Sequence, residues 1–468
     1  MPNQIVISPV TRIEGHAEIT IDMEKSGKVK KAWFSVQSFR GFEKFLEGMP
    51  ADDIPQLTCR ICGICYSSHG LCSVKAIESA WGVTASPEAR KIRELLTFGQ
   101  YIESHALALA VLSLPDFIYS GYGAEKRNFL NMLKNHENVA RKLMDLRQAG
   151  SMITSVVGGR AVHPINFIVG GVVRVPTSGE RKKLLKGLEG GDKILMAIWK
   201  LFKKFLLPRP HFMSLGSTKT CHLGLSKNGN LEFYDGELNL MNPQGDMTNT
   251  FPANDYYKYV TEEECEFSYM KFPVLTTGEK LRVGPLSRVN IAKNCGTPVA
   301  DELLQEAGEL LGFPTNTTMA YHVARLIETV HAWEKAKELL KDDDVSSHNA
   351  LGGGYPPMAG EGIGIVEAPR GVLVHHYVFD DRGKLNKADF VVATQHNSHA
   401  INDDLTATAR ESVSMVVNED LLNRLEMIPR AYDPCLGCAT HLIGDRRPFG
   451  IRIRDHNGKT VRRWERDG

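Results

Sequence analysis

Residues 60–69 read RICGICYSSH and residues 433–441 read DPCLGCATH, so two Cys-x-x-Cys pairs lie near opposite ends of a 468-residue chain. Two residues between cysteines allow a tight turn to direct both sulfurs at one metal ion, and four thiolates form a soft ligand set. Only the whole fold can bring together pairs that are this far apart. We therefore expect a deep site at which metal binding is coupled to folding.

The spacing of the cysteines leaves three kinds of metal site open. A structural zinc site is one, although zinc-binding pairs usually lie closer together in sequence. An iron–sulfur cluster is another, because Cys59, Cys62 and Cys65 begin a ferredoxin-like run, but His69 and Gly70 stand where that run needs cysteine and proline. The third is a redox metal centre, favoured by the histidine that follows each pair and can orient a metal-bound group.

The composition excludes several classes of protein. Hydrophobic residues make up 42%, charged residues 24%, and the formal net charge is +1, which gives no electrostatic case for nucleic acid or an acidic membrane surface. The most apolar stretch, 152–173, is interrupted by Arg160, His163 and Pro164, so it predicts a buried segment and no membrane span. The start, MPNQIVISPV, does not resemble an export signal and favours a cytoplasmic location.

Hydrophobic periodicity predicts a helix-dominated α+β fold. Residues 4–37 alternate between apolar and polar side chains and predict an N-terminal hairpin that turns at 24–27. A spacing of three to four residues predicts helices over 88–114, 124–153, 178–206, 300–341 and 403–426. Alternation over 363–393 predicts strands.

The two cysteine motifs resemble the metal-binding signatures of [NiFe] hydrogenase large subunits. Five more segments resemble parts of that family, in the family's order: TRIEGH at 11–16, RGFE at 40–43, ESHALALAVLSLPDF at 103–117, GGRAVHP at 158–164 and EAPRG at 367–371. Seven such segments in order are highly specific. The resemblance implies a central bundle of long helices with peripheral small sheets, and an enzyme that reversibly cleaves H2 into protons and electrons. The residues of the motifs are most similar to those of cytosolic hydrogenases of the methyl-viologen-reducing type. A nicotinamide- or deazaflavin-linked enzyme is the alternative.

The resemblance also implies the ligands of a nickel–iron centre. Nickel would be bound by Cys62, Cys65, Cys435 and Cys438, of which Cys65 and Cys438 would bridge to an iron that carries carbon monoxide and cyanide. H2 would then split heterolytically, with the hydride going to the metals and the proton to a base.

Further residues near the centre match family positions. Glu14 matches a proton-shuttling carboxylate, and His69 would hydrogen-bond the iron ligands or a bridging sulfur. Arg370 matches an arginine held above the metals, where a guanidinium positions or stabilises charge because it does not act as a base at neutral pH. Asp116 and Asp433 match the carboxylates that orient this arginine.

A second metal, magnesium or iron, is implied next to the centre. Its ligands would be Glu43, His441, a backbone carbonyl near Ser398 and waters. Because histidine is a less usual ligand of magnesium, iron stays as the alternative metal. Residues 1–441 would form the hydrogenase domain. Residues 442–468 would be a C-terminal extension that a nickel-dependent endopeptidase removes, and Asn457-Gly458 within it predicts a hairpin turn.

The other five cysteines predict what the chain needs from partners. They form no cluster motif and are expected to be buried or inert thiols: Cys59, Cys72, Cys221, Cys265 and Cys295. The chain therefore cannot build an electron relay. We expect a small subunit with iron–sulfur clusters against the N-terminal helical half, and beyond it another electron-accepting subunit or heterodisulfide reductase.

Three rival functions remain. A structural four-cysteine zinc protein is the non-redox rival, and a non-catalytic H2 sensor would share the metals. Relatives in respiratory complex I share the ancestry but generally lack the full set of four cysteines, all of which are present in this chain.

Overall fold

The computed structural model describes residues 4–36, 38, 40–412 and 419–440, together with strands at 450–454 and 460–465. Helices of eight or more residues occupy Tyr66–Trp81, Pro87–Leu107, Glu137–Gly158, Ser178–Gly187, Gly191–Phe205, Pro298–Leu311, Ala320–Lys341, Ser398–Ser412 and Glu419–Tyr432. Shorter helices occupy Phe42–Leu46, Ile54–Thr58, Leu114–Ile118, Phe129–Asn135, Pro210–Met213, Tyr256–Tyr259, Pro285–Ile291, Ala393–His396 and Leu436–Ala439.

The long helices form the centre of the molecule. Pro87–Leu107 packs against both Glu137–Gly158 and Ala320–Lys341. Its contact with Glu137–Gly158 is close because glycines face each other: a Cβ on Gly150 would lie 2.6 Å from the carbonyl oxygen of Gly99. The central bundle that the resemblance implied is therefore present.

A π-helical turn, Ala108–Ser113, continues the helix Pro87–Leu107 into Leu114–Ile118. Pro115 lacks a backbone N–H and would clash with the carbonyl four residues earlier in a regular helix, so a wider turn suits this position. Turns of this kind are frequent at functional sites. The whole run Pro87–Ile118 is long and apolar enough to cross a membrane, but 83% of its most apolar window is buried within the protein.

Small sheets surround the bundle. The N-terminal sheet is antiparallel and contains Gln4–Ile7, Ala17–Met23 and Val29–Val36. A second sheet contains Leu281–Arg282, Cys221–Lys227, Glu237–Met241 and Met247–Phe251, with Asn230–Leu231 paired to its second strand. A third contains Gly360–Ala368, Gly371–Phe379 and Leu385–Val391, and Val260–Glu263 pairs with Phe272–Leu275.

Three glycines decide how the helix after the first cysteine pair packs. We call Tyr66–Trp81 the cysteine helix and Gly360–Ala368 the glycine strand. Gly360, Gly362 and Gly364 alternate along this strand, and a Cβ on any of them would lie 2.2–2.3 Å from backbone atoms of the cysteine helix. Because alternate residues share one face of a strand, these glycines give the helix a flat surface.

The predicted elements agree with this fold, with a few differences. The N-terminal hairpin is present and gains a third strand. The helix predicted over 124–153 is divided at His136, and that over 178–206 is divided at Gly190, which has a left-handed φ of 78°. The stretch 152–173, predicted to be buried, buries Ile153 and Val157 in its helical part but exposes Val162, Ile165 and Val173.

The C-terminal hairpin is formed by Gly450–Arg454 and Thr460–Glu465, which pair antiparallel. The predicted turn at Asn457-Gly458 lies outside the described residues, as does His441.

Candidate metal centre

The four cysteines of the two motifs meet in the interior. Their sulfurs all lie within 4.8 Å of one another, and all four residues are buried; we call them the sulfur cluster. Across the motifs, Cys62 Sγ is 3.3 Å from Cys435 Sγ, and Cys65 Sγ is 3.0 Å from Cys438 Sγ. Two pairs from opposite ends of the chain thus form one ligand set.

The first pair is shaped by a turn that leads into the cysteine helix. Cys62 is extended, and its sulfur accepts hydrogen bonds from the backbone N–H groups of Ile64 at 3.2 Å and Cys65 at 3.3 Å. Cys65 stands at the N-terminus of the helix. The positive end of a helix dipole stabilises a thiolate at that position.

The second pair is held by the segment 393–396. The backbone N–H of Cys435 donates to Thr394 Oγ1 at 2.9 Å, and Gln395 Nε2 donates to the carbonyl of Ala439 at 3.3 Å. A short helix, Leu436–Ala439, then turns Cys438 toward Cys435, and the two sulfurs are 2.9 Å apart.

The pKa values of the cysteine thiols indicate that the sulfur cluster can bind a cation. Hydrogen bonds from Cys435, Cys438 and Cys62 lower the pKa of the Cys65 thiol well below its ordinary value. Burial raises the pKa of Cys435 and of Cys438 well above it. Four thiolates in this space therefore need a metal ion to balance their charge, and their softness suits nickel, iron or zinc.

Glu14 lies directly against the second pair. Its Oε2 accepts a hydrogen bond from the backbone N–H of Gly437 at 2.9 Å, and its carbonyl accepts from Leu436 N at 3.2 Å. Two glycines allow this approach: a Cβ on Gly437 would lie 2.8 Å from Glu14 Oε1, and a Cβ on Gly15 would lie 2.7 Å from Leu436 Cβ. Glu14 itself is half-buried.

Arg370 is buried beside the sulfur cluster and pairs with Asp433. Its Nη2 lies 3.1 Å from Asp433 Oδ1, and its Nε donates to the Asp433 carbonyl at 2.6 Å. Asp433 has a left-handed φ of 54°, a conformation that aspartate tolerates better than most residues. Burial by itself lowers the pKa of Arg370. The negative charges of Asp433 and the cysteine thiolates raise it by more, so the pKa is well above its ordinary value.

Asp116, which the resemblance implied would orient Arg370, forms its ion pairs with two other arginines. Within the described residues it forms ion pairs with Arg12 and with Arg430, whose Nη1 is 3.1 Å from Asp116 Oδ2. Arg12 comes from the N-terminal loop and Arg430 from the helix before the second cysteine pair, so two cations already occupy the carboxylate. The ion pair of Arg370 within the same residues is with Asp433.

His69 contacts the sulfur cluster through Cys438. Its Nε2 lies 3.3 Å from Cys438 Sγ, and its Nδ1 lies 3.1 Å from His375 Nε2. Both histidines are fully buried.

One expected ligand of the second metal, Glu43, lies near a lysine. Glu43 Oε1 accepts from the backbone of Phe390 at 2.8 Å and lies 3.5 Å from Lys271 Nζ. Lys271 also pairs with Glu262 and Asp389. Burial raises the pKa of Glu43 to about 7, with the charge of Asp389 adding to the effect and Lys271 opposing it.

Ser398 is buried at the first residue of its helix, and its Oγ has no hydrogen-bond partner among the described residues. The other expected ligand, His441, lies outside them. Thr440, the residue before it, is paired with Met270, which places this end of the chain next to the lysine.

The remaining cysteines form no second cluster within the described residues. Cys59, Cys72, Cys221 and Cys295 are buried, as expected, whereas Cys265 is half-buried. Burial raises the pKa of the Cys221 thiol to about 11 and raises the pKa of Cys59, Cys72 and Cys295 further.

Sequence reasoning missed several residues that shape the site. Thr394 and Lys271 carry no recognisable motif. His375 follows Arg370 by five residues in a strand of mostly apolar side chains, and a buried histidine in such a strand is a usable signal.

Comparison with known proteins decides the family. A family profile described as "Nickel-dependent hydrogenase" matches residues 40–128 and 226–441, and one described as "HoxL-like" matches residues 4–39. The chain belongs to the nickel-dependent hydrogenase family. The predicted family and enzyme class are therefore confirmed, and the family together with the sulfur cluster supports a nickel–iron centre.

Two kinds of hydrogenase are similar over nearly the whole chain. One subunit of the F420-non-reducing hydrogenase vhc of Methanococcus voltae is 37% identical over 94% of this chain and 96% of its own. The beta subunit of the NAD-reducing hydrogenase HoxS of Cupriavidus necator is 35% identical over 98% of this chain and 99% of its own. The F420-non-reducing relative is of the methyl-viologen-reducing type, which the residues of the two motifs predicted.

Solved hydrogenase structures share the fold. An NAD+-reducing [NiFe]-hydrogenase in the H2-reduced state has a TM-score of 0.88 at 32% identity and covers 94% of this chain and 100% of its own. The [NiFeSe]-hydrogenase of Dm. baculatum has a TM-score of 0.76 at 24% identity, with 94% and 99% covered. The predicted large-subunit fold is confirmed.

Proposed function

We propose that this chain is the catalytic large subunit of a [NiFe] hydrogenase and that it reversibly cleaves H2 into protons and electrons. The observation that carries the proposal is the buried sulfur cluster with a carboxylate at its edge: Glu14 is hydrogen-bonded to Gly437, between the two cysteines of the second pair. A structural zinc site has no need of a proton-carrying group at that place.

The residues present fit a nickel–iron centre. Cys62, Cys65, Cys435 and Cys438 would hold the nickel and the iron, and the iron would carry carbon monoxide and cyanide. Arg370 Nη1 is buried and without a hydrogen-bond partner among the described residues, so it can donate to an acceptor such as cyanide. When bound, such a centre supplies the site at which H2 is activated.

The side chains around the centre handle charge and protons. Glu14 is half-buried, so its carboxylate can take a proton at Oε1 or Oε2 beside the cluster and release it toward solvent. Arg370 is held by Asp433 and keeps its positive charge, so it stabilises negative charge that develops next to it.

A second metal, magnesium or iron, would lie by Glu43. The support is a half-buried carboxylate next to Lys271, whose neighbour Met270 pairs with Thr440. Glu43, His441 and a carbonyl near Ser398 would be its ligands. Loss of this metal in a Glu43→Gln variant, measured by elemental analysis, tests the assignment.

Electrons would leave through a small subunit with iron–sulfur clusters. An apolar surface supports this: Val162, Ile165, Val173, Leu351 and Tyr355 are all exposed. The two loops that carry these residues lie side by side, because Val172 pairs with Leu351 through the backbone.

This surface is connected to the sulfur cluster. His163, which lies between two of its members in sequence, lies near the backbone of Cys62, and its ring centroid is 6.0 Å from that of Tyr66. A partner that covers the surface would therefore lie close to the metals. A further electron-accepting subunit, either heterodisulfide reductase or a nicotinamide-linked module, would follow in a cytoplasmic complex. The name of the NAD-reducing relative supports the second option.

The extension 442–468 would be removed by a maturation endopeptidase after metal loading, which leaves domain 1–441. The match to the family profile ends at residue 441, which supports this boundary. Mass spectrometry of the active enzyme is expected to find a chain that ends at His441. An active enzyme that retains Gly468 would contradict the cleavage.

The experiment that tests the main proposal is metal analysis with infrared spectroscopy of the purified complex. Nickel and iron with bands from bound carbon monoxide and cyanide are expected. Zinc alone would show a structural zinc protein, and the expected metals without H2 turnover would show a sensor. A Cys435→Ser variant should lose nickel, whereas Cys72→Ser, which changes an equally buried cysteine outside the cluster, should keep it.

A further inference from the structure

A chain of buried hydrogen-bonding side chains extends from Cys438 into the protein. His69 joins Cys438 to His375, as described above. His375 Nδ1 lies 2.8 Å from the Tyr377 hydroxyl, and that hydroxyl lies 3.0 Å from Ser73 Oγ. His69, His375, Tyr377 and Ser73 each have 0% of their surface exposed.

The backbone that surrounds these side chains is arranged to make room for them. His69 and Ser73 are one turn apart on the cysteine helix, and His375 and Tyr377 are two residues apart on the strand Gly371–Phe379. Directly across the ladder, His375 is opposite Gly364 and Tyr377 is opposite Gly362. A side chain at either glycine would push the helix away and separate the two halves of the hydrogen-bonded series.

The direction of the hydrogen bonds follows from Cys438. A metal-bound thiolate has no proton, so it can only accept, and His69 Nε2 must donate to it. A neutral His69 then accepts at Nδ1 from His375 Nε2–H, and His375 accepts at Nδ1 from the Tyr377 hydroxyl. The Tyr377 hydroxyl has one proton, which it donates to His375. The Ser73 hydroxyl can rotate and therefore completes the series by donating to Tyr377.

We propose that Ser73, Tyr377 and His375 are positioning residues that fix the tautomer and orientation of His69, so that its hydrogen bond to the Cys438 sulfur is permanent. This inference rests on the proposed function, because it assigns Cys438 as a metal-bound thiolate. The series ends at a fully buried serine within the described residues, which distinguishes it from a proton path to solvent. A hydrogen bond to a metal-bound sulfur withdraws electron density from the metals and so changes their potential.

The test compares infrared spectra and midpoint potentials of the purified complex with those of a Tyr377→Phe variant. Phenylalanine keeps the ring, which packs against Phe379 and Phe390, and removes the hydroxyl. We expect normal nickel content, carbon monoxide bands at lower wavenumber because more electron density reaches iron, a lower potential, and turnover reduced by about 10-fold. A Ser73→Ala variant should shift the bands in the same direction, and the double variant should shift them no further than Tyr377→Phe.

Tyr119→Phe is the matched control, because it removes a hydroxyl from another buried tyrosine that donates to the Asn131 carbonyl. Its bands should stay at the wild-type positions. Bands that remain unmoved in Tyr377→Phe and Ser73→Ala with full nickel content would overturn the inference. If Tyr377→Phe does not fold, Ser73→Ala alone decides by the same criterion. Absence of the bands from the wild-type complex would instead refute the proposed function.

Discussion

The carboxylate of Glu14 accepts a hydrogen bond from the backbone N–H of Gly437 at 2.9 Å, although the two residues are 423 positions apart in sequence. Gly437 lies between the two cysteines of the second pair, so this contact fixes an acid–base group at the edge of the sulfur cluster. The backbone carbonyl of Glu14 adds a bond from Leu436. The N-terminal loop and the C-terminal motif therefore form one unit.

Glu14→Gln should lower H2 turnover by about 100-fold or more, because an amide keeps the acceptor oxygen but neither takes up nor releases a proton near neutral pH. Nickel content should stay unchanged, since no metal ligand is altered. Turnover and elemental analysis measure the two effects. The control is Glu18→Gln, which changes a carboxylate four residues further on that accepts a hydrogen bond from the Ser8 hydroxyl. Equal turnover of both variants would contradict a proton-carrying role for Glu14.

Gly437→Ala should lower turnover while metal binding persists, because the new Cβ would lie 2.8 Å from Glu14 Oε1 and displace the carboxylate. Gly63→Ala is the matched control: this glycine lies inside the first cysteine pair, and its Cβ would meet nothing within 4 Å. Turnover per bound nickel is the measurement. A larger loss in Gly63→Ala than in Gly437→Ala would rule out the steric explanation.

Asp116→Asn and Asp433→Asn should have different consequences, because the two aspartates pair with different arginines. Asp116 neutralises Arg12 and Arg430, so its loss should lower the free energy of unfolding by about 3 kcal/mol. Asp433 holds Arg370 beside the sulfur cluster, so its loss should reduce turnover at a given nickel content. Denaturation and kinetics measured on both variants check this. Low turnover per nickel in a stable Asp116→Asn variant would contradict the assignment.

His331 should make the protein less stable in acid. Burial lowers the pKa of His331 to about 3, whereas a histidine in the unfolded chain has its ordinary pKa of 6.5. Between these values the unfolded state binds more protons, so stability falls as the pH is lowered, by about 1.4 kcal/mol per pH unit for this one group.

The comparison that isolates this effect uses His331→Gln. Its free energy of unfolding should decline less steeply than that of the wild type between about pH 6 and pH 4. His348→Gln, which changes an exposed histidine, should follow the wild-type curve. Parallel curves for all three proteins would disprove the contribution of His331.

Much of the candidate site follows from local sequence. The Cys-x-x-Cys spacing, the histidine four residues after Cys65 and the apolar periodicity of the long helices are properties of neighbouring residues, so they predicted the ligand set and the helix-dominated fold. The partners of buried charges do not follow in this way. Asp116 was expected to lie at Arg370, but it pairs with Arg430 and Arg12 instead. Which arginine pairs with a buried carboxylate depends on how separate segments pack.

By itself, the sequence determined the identity of the four sulfurs, the proximity of each cysteine to its pair partner, and the family. The tertiary structure decided which side chains surround those sulfurs. The glycines at 362 and 364 let the cysteine helix lie on the sheet, and this close contact brings His375 to His69. The physical reason is that turns and periodicity act over a few residues, whereas burial and hydrogen-bond partners depend on backbone distances between segments that are hundreds of residues apart.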